Sequence, residues 1–67
     1  MAFFTDYYDR EYNISDVIAI KETFILKNGT ANAAYVAILS NQEEIRISSS
    51  TFDYFKNSGV TEYTSES

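Results

Sequence analysis

The residue types that carry most acid–base and nucleophilic chemistry are missing from this sequence. Its 67 residues include no histidine and no cysteine, so neither a Ser-His-Asp nor a Cys-His arrangement can form. The adjacent acidic pair Glu43-Glu44 lies in a strand-like run, where neighbouring side chains point to opposite faces of a sheet. Two carboxylates so placed do not converge as a general acid and a general base. We therefore predict that the protein is not an enzyme and needs no cofactor.

Metal and phosphate sites are not expected either. Structural zinc sites use cysteine and histidine ligands, and an oxygen-ligand site built from Asp6, Asp9 and Glu11 would be loose and solvated. The two glycines, Gly29 and Gly59, both fall at turn positions and belong to no glycine-rich phosphate loop. The chemistry of the side chains thus favours a binding role.

The charge balance of the chain is acidic. Ten aspartates and glutamates against five lysines and arginines give a formal net charge of −5 at pH 7. Such a chain repels phosphates, so direct nucleic-acid binding is not predicted. The surplus of acid either favours a partner with a basic surface or serves only to keep a small protein soluble.

The length of the chain limits the core that it can build. Residues 1–67 form a single small domain, which buries only about 60% of the surface that its unfolded chain exposes. Without cysteine there are no disulfides, so good packing or self-association must supply the remaining stability. Six tyrosines and five phenylalanines provide rings, which fill small cores and also anchor interfaces.

The first residues do not resemble a targeting segment. The chain reaches Asp6 without the charged start and the apolar run of a signal peptide, and no run is long enough for a transmembrane helix. We predict a cytoplasmic protein with no membrane contact.

The strongest structural signal lies between residues 22 and 47, where Asn28-Gly29 separates two runs rich in β-branched and aromatic residues. An Asn-Gly pair in this setting indicates a type I′ hairpin, because both central residues of that turn need positive φ. A second turn at 40–42 leads into a third run at 43–47, in which isoleucine alternates with polar residues. The sequence thus predicts an α+β fold with a three-stranded antiparallel β-meander over residues 17–48.

The first strand of this meander carries apolar side chains on both faces. It begins at residues 17–20 and either continues as one long bent strand or breaks near Lys21-Glu22. Phe24 and Leu26 share one face of the strand, while Ile25 lies on the other. Two apolar faces are typical of a central strand, or of a strand paired against another copy of the chain.

Residues 1–13 form an aromatic and acidic N-terminal segment. Several of its rings are spaced four residues apart, which places them along one side of a helix. These pairs are Phe3/Tyr7, Phe4/Tyr8 and Tyr8/Tyr12. Thr5 would cap such a helix, with Asp6 near its positive end. The segment is therefore predicted as a short N-terminal helix, with an extended arm along a sheet edge as the alternative.

A short C-terminal helix is predicted at 51–57. Ser50 and Asp53 have the spacing of a capping box, which starts a helix. Gly59 is placed to end the helix in the left-handed conformation, and Lys56 lies in the last turn, where a cation is favoured.

Helical periodicity divides the rings of this C-terminal segment. Phe52 and Phe55 are predicted to face the sheet, whereas Tyr54 faces solvent. The polar residues 61–67 carry no structural signal and are interpreted as a flexible tail.

The functional prediction follows from the acids and rings of a chain without reactive groups. Acids around tyrosines suit a protein interface, because charge speeds the approach and rings hold the contact. We predict a small protein-binding module whose partner is a larger protein with a basic surface. The predicted contact residues are Asp6, Tyr7, Tyr8, Asp9, Glu11, Tyr12 and Tyr54. The alternative is a homo-oligomeric structural or scaffolding protein, such as a homodimer.

In size, acidity and hairpin-based α+β design, the whole chain resembles the small acidic inhibitor proteins that phages carry against host machinery, including anti-CRISPR proteins. The resemblance implies an inhibitor that blocks a basic surface of a nucleic-acid-handling protein in the host cytoplasm. It rests on no sequence motif and assigns a role to no residue. Basic residues also interrupt the acids, unlike the even spacing expected of a DNA mimic. They are Arg10, Lys21, Lys27, Arg46 and Lys56.

Overall fold

The computed structural model describes residues 2–63 of the chain. Within that range the protein has six strands and one α-helix, so the predicted α+β class is confirmed. The elements are β1 (Phe3–Thr5), β2 (Glu11–Asn13), β3 (Val17–Lys27), β4 (Thr30–Leu39), β5 (Glu44–Ile47), α1 (Ser49–Asn57) and β6 (Thr61–Tyr63). A single 3-10 turn, Ile14–Asp16, joins β2 to β3.

The central sheet contains four strands in the order β5-β4-β3-β6. The strands β3, β4 and β5 are antiparallel neighbours that follow one another along the chain, as predicted for residues 17–48. The predicted three-stranded sheet was nevertheless incomplete, because β6 adds a fourth strand parallel to β3. Residues 61–63 of the predicted tail are therefore strand, and residues 64–67 lie outside the described part of the chain.

The strands β3 and β4 form one long hairpin around Asn28-Gly29. Both turn residues have positive φ, 53° at Asn28 and 77° at Gly29, as the predicted type I′ turn requires. β3 runs unbroken from Val17 to Lys27, with a bulge near its start. Of the two alternatives for this strand, the continuous one is correct.

Gly29→Ala is expected to lower the free energy of unfolding by about 1–2 kcal/mol, because an L side chain is strained in the left-handed region. An added Cβ would meet no atom within 4 Å, so crowding adds nothing to this strain. Urea denaturation measures the loss, with Asn28→Gly as the control that keeps positive φ accessible. Equal stability of Gly29→Ala and wild type would contradict a strained turn.

The core lies between α1 and one face of the central sheet. Its buried members are Ile20, Ala37, Leu39, Ile45, Ile47, Phe52 and Phe55. The inward faces of β5 and α1 agree with the alternation and the helical periodicity read from the sequence. Tyr54 lies on the outer side of α1 and is exposed, as predicted.

The helix α1 begins two residues earlier than predicted. Ser48 is the N-cap, since its Oγ accepts a hydrogen bond from the Thr51 N–H at 3.3 Å. The capping-box interpretation of Ser50 is therefore wrong. Consecutive serines offer equivalent hydroxyl groups, and the local sequence does not choose among them. The predicted helix end is confirmed, because Gly59 has a φ of 88° directly after the last turn.

The predicted N-terminal helix is wrong, because β1 and β2 form a separate two-stranded antiparallel sheet. Asp9 adopts a left-handed φ of 65° and reverses the chain at the point where a helix would continue. The segment is extended, as in the alternative prediction, and meets the sheet edge where the Tyr7 N–H donates to the Arg46 carbonyl at 2.8 Å. Phe4 anchors it to the core by an edge-to-face contact with Phe55, with ring centroids 5.1 Å apart.

Within residues 2–63, the distal half of the β3–β4 hairpin extends beyond the other strands of the sheet. In this range β6 pairs with β3 at Ala19–Lys21, and β5 pairs with β4 at Tyr35–Ile38. We call the remainder of the hairpin strands, residues 22–27 and 30–34, the arm. The arm is two strands wide, and neither of its edges is paired within the described residues. The molecule is accordingly elongated, with extents of 41 × 24 × 22 Å.

Candidate protein-binding surface

Residues 6–10, which we call the tyrosine turn, join β1 to β2 and include most of the predicted contact residues. The Asp6 carboxylate holds this turn together. Its Oδ1 accepts hydrogen bonds from the N–H groups of Tyr8 at 2.8 Å and Arg10 at 2.9 Å. Its Oδ2 accepts a third from the Arg10 guanidinium, where Nε lies at 3.0 Å. The carboxylate thus reinforces a turn that two main-chain hydrogen bonds also close, from the Asp6 N–H to the Arg10 carbonyl at 2.8 Å and from the Asp9 N–H to the Asp6 carbonyl at 3.2 Å.

Asp6 is buried inside the turn and is not presented to a partner, in contrast to its predicted role as a contact residue. Burial raises the pKa of Asp6, but the hydrogen bonds from Arg10 and Tyr8, together with the charge of Arg10, outweigh that effect. The pKa of Asp6 consequently lies below its ordinary value. The carboxylate is ionised at neutral pH, which keeps the turn closed.

Tyr7 and Tyr8 carry their rings on the outside of the tyrosine turn. The two side chains are 54% and 59% exposed, and their ring centroids lie 5.6 Å apart in an edge-to-face arrangement. The Arg46 guanidinium lies 4.0 Å from the centroid of the Tyr7 ring, and that of Arg10 lies 5.4 Å from the centroid of the Tyr8 ring. These cation–π contacts, together with the contact between the two rings, favour the observed orientation of both side chains.

Asp9 and Glu11, two more of the predicted contact residues, are exposed, the first within the tyrosine turn and the second directly after it. Arg10 and Arg46, whose guanidinium groups contact the two tyrosine rings, add positive charges to the same surface, and Arg10 is ion-paired with Asp6. The surface is therefore aromatic with charges of both signs, and its acidity is less uniform than the net charge of the chain suggests.

The remaining two predicted contact residues lie away from the tyrosine turn. Tyr12 is half-buried against Phe4, with ring centroids 6.0 Å apart, and belongs to the margin of the core. Tyr54 is 52% exposed and borders a shallow apolar groove, where it lies near Phe3 at the far end of the β1–β2 hairpin. The structure therefore brings the turn residues together and leaves Tyr54 on a separate surface.

The arm is a second exposed surface, which the predicted contact residues did not include. Leu26 is 81% exposed and Phe24 is 63% exposed on one face, and Ile25 is 40% exposed on the other. Large apolar side chains that are exposed next to one another mark interaction sites. The apolar character of both faces is visible in the sequence. Their exposure depends on which parts of the hairpin the described residues of β5 and β6 cover, and no local pattern reveals that.

No family model, curated protein or solved structure matches the chain. The two candidate surfaces accordingly rest on the geometry of this chain alone. Within residues 2–63, no helix has the length and apolarity needed to cross a membrane. The same residues contain no group of three or more acidic side chains arranged to hold a metal ion.

Proposed function

We propose that the protein is a non-enzymatic protein-binding module that docks on a larger protein through the tyrosine turn. The observation that carries the proposal is the fixed turn itself, in which two exposed rings sit on a backbone held by a buried carboxylate. Tyrosine offers a large contact area for a small loss of conformational entropy. A turn that is closed before binding also reduces the ordering that association requires.

The partner that we propose is a protein with a basic surface. Asp9 and Glu11 support this choice locally, and the net charge of −5 adds long-range attraction that speeds the encounter. Occupying such a surface would inhibit a protein that handles nucleic acid, as the resemblance to phage-encoded inhibitors implies. A cytoplasmic setting belongs to the same proposal, since a chain without cysteine needs no oxidising compartment.

The double variant Tyr7→Ala/Tyr8→Ala is expected to weaken binding about 30-fold, because each aromatic anchor at the centre of an interface contributes more than about 1 kcal/mol. The affinities are measured by calorimetric titration against a partner captured from the natural host and then purified. Tyr63→Ala is the matched control, because it removes a ring of similar exposure from β6. We expect the control to bind like wild type, and all melting temperatures to stay close together.

The same titration at low and high salt tests the electrostatic part of the proposal. Affinity for a basic partner is expected to fall as the salt concentration rises, because counterions screen the attraction.

Unchanged affinity of the double variant Tyr7→Ala/Tyr8→Ala, or an equal loss of affinity in Tyr63→Ala, would contradict docking through the tyrosine turn. Affinity that is independent of salt would contradict the basic partner alone.

A second candidate function, that of a homo-oligomeric structural or scaffolding protein, is favoured by the arm. Another copy of the chain would bury the exposed side chains of Phe24 and Leu26 and pair the open strand edges. The two functions are compatible, because they use different sides of the sheet. The Tyr7 N–H donates a hydrogen bond to a carbonyl of β5, and β5 lies at the opposite side of the sheet from the outer edge of β3.

A further inference from the structure

Within residues 2–63, the outer edge of β3 is unpaired along the arm. Of the described residues, those of β6 occupy this edge at Ala19–Lys21. The two-residue turn makes Lys27 and Thr30 a hydrogen-bonded pair, and alternate residues of an antiparallel strand aim their backbone groups to opposite sides. Phe24 and Leu26 therefore direct their N–H and C=O groups outward. Such an edge is a template for pairing with another strand.

The arm carries one acidic and one basic side chain, Glu22 and Lys27, although the chain as a whole is acidic. From Thr23 to Leu39 the single charged residue is Lys27, whereas the whole chain has a net charge of −5. A second copy can therefore approach this edge without bringing carboxylates together, which would be repulsive. The apolar side chains and the absence of acids between Thr23 and Leu39 together favour a copy of the same chain over a charged partner.

We propose that the arms of two copies pair antiparallel along this edge, with a two-fold axis at Ile25. The inference rests on the second candidate function and is independent of docking through the tyrosine turn. Phe24 of each copy then lies opposite Leu26 of the other on one face of the joined sheet. The two Ile25 side chains meet on the other face, so each face gains an apolar cross-strand contact.

The neighbouring residues select this register over its alternatives. An axis at Phe24 would place Lys27 of one copy opposite Lys21 of the other, so two like charges would face each other. The edge at Lys21 is also already paired with β6. An axis at Leu26 would place Phe24 opposite the hairpin turn, beyond the end of the strand. The axis at Ile25 avoids both conflicts.

A single introduced cysteine reports the register, because the chain has none of its own. In the proposed pairing the two Ile25 residues form a non-hydrogen-bonded pair, whose Cα atoms lie about 4.5 Å apart, within reach of a disulfide. Under mild oxidation Ile25→Cys is expected to form a linked dimer at least about tenfold faster than Asn32→Cys. Asn32 is the matched control, since it lies opposite Ile25 on β4, one strand away from the edge.

Sedimentation equilibrium tests the same surface without a chemical step. Wild type is expected to dimerise as its concentration rises, and Leu26→Lys is expected to weaken the dimer at least about tenfold. Asn32→Lys adds the same charge to the exposed arm and is expected to dimerise like wild type. Leu26 is 81% exposed in the single chain, so its replacement leaves the fold intact.

A wild-type chain that remains monomeric at about 1 mM would overturn the proposal, as would cross-linking of Asn32→Cys at the rate of Ile25→Cys. A monomer that binds phosphatidylcholine–phosphatidylglycerol vesicles or a different protein, and loses that binding in Leu26→Lys, would reassign the arm and overturn the pairing equally. None of these results bears on docking through Tyr7 and Tyr8, which lie outside the residues that pair in the proposed dimer.

Discussion

Phe55→Ala is expected to remove most of the stability of the protein. The ring of Phe55 is fully buried beneath α1, and it also anchors the β1–β2 hairpin through Phe4. Truncating a buried phenylalanine costs about 3–5 kcal/mol. A domain of this length has only roughly 3–10 kcal/mol in total, so the loss approaches the whole free energy of unfolding.

Thermal unfolding followed by circular dichroism measures this loss, with Tyr54→Ala as the matched control. Tyr54 precedes Phe55 on the same helix and contacts it edge to face, with centroids 5.4 Å apart, yet it is half exposed. Its truncation is expected to cost no more than about 1 kcal/mol. A Phe55→Ala variant that melts close to the control would show that the core does not depend on this ring.

Asp6→Ala is expected to open the tyrosine turn and to lower the free energy of unfolding by about 2–3 kcal/mol, because hydrogen bonds to a charged acceptor are strong. The substitution removes the acceptor of three hydrogen bonds, which the N–H groups of Tyr8 and Arg10 and the Arg10 guanidinium donate. Amide hydrogen exchange at Tyr8 and Arg10 is expected to accelerate, while exchange in β3 and β4 changes less. Unchanged exchange at both turn amides would contradict the role assigned to the carboxylate.

The same carboxylate makes stability depend on pH. Folding lowers the pKa of Asp6, so between the folded and unfolded pKa values the unfolded chain binds more protons, and stability rises with pH. The contribution is complete above the unfolded value of about 3.9 and is lost as pH falls through the folded value. We expect wild type to lose stability faster than Asp6→Asn on acidification below about pH 4. Parallel curves for the two proteins would contradict this linkage.

The elements that a single local rule decides were predictable from the sequence. Asn28-Gly29 satisfies the need for positive φ at two successive positions, so the central hairpin follows from two residues. Alternation over 45–47 assigns the inward face of β5, and helical periodicity assigns Phe52 and Phe55 to the core. Each assignment needs no knowledge of the rest of the chain.

The N-terminal segment was mispredicted because two local patterns compete there. Rings spaced four residues apart fit a helix, whereas aspartate also favours turns in which its side chain accepts backbone hydrogen bonds nearby. Asp6 makes such bonds to Tyr8 and Arg10, and the left-handed conformation of Asp9 completes the reversal. The pair of aspartates was the signal that could have identified the tyrosine turn.

The arm and β6 depend on pairing between distant parts of the chain. Residues 22–34 contain no indication that the described residues of β5 and β6 pair with other parts of the hairpin, since that pairing is set by residues 44–47 and 61–63. The sequence therefore predicted more aromatic rings than the core could bury, but it did not identify the apolar side chains that stay exposed. Leu26 is exposed in the structure, while the predicted contact residue Tyr12 is half-buried.

Backbone amide shifts of the isotopically labelled protein, followed by nuclear magnetic resonance during titration with the purified partner, test the central claim most directly. Docking through the tyrosine turn predicts that the largest changes fall within residues 7–11, with the amide of Tyr63 unaffected. Changes confined to the arm or to α1, with the turn amides unmoved at saturation, would contradict it.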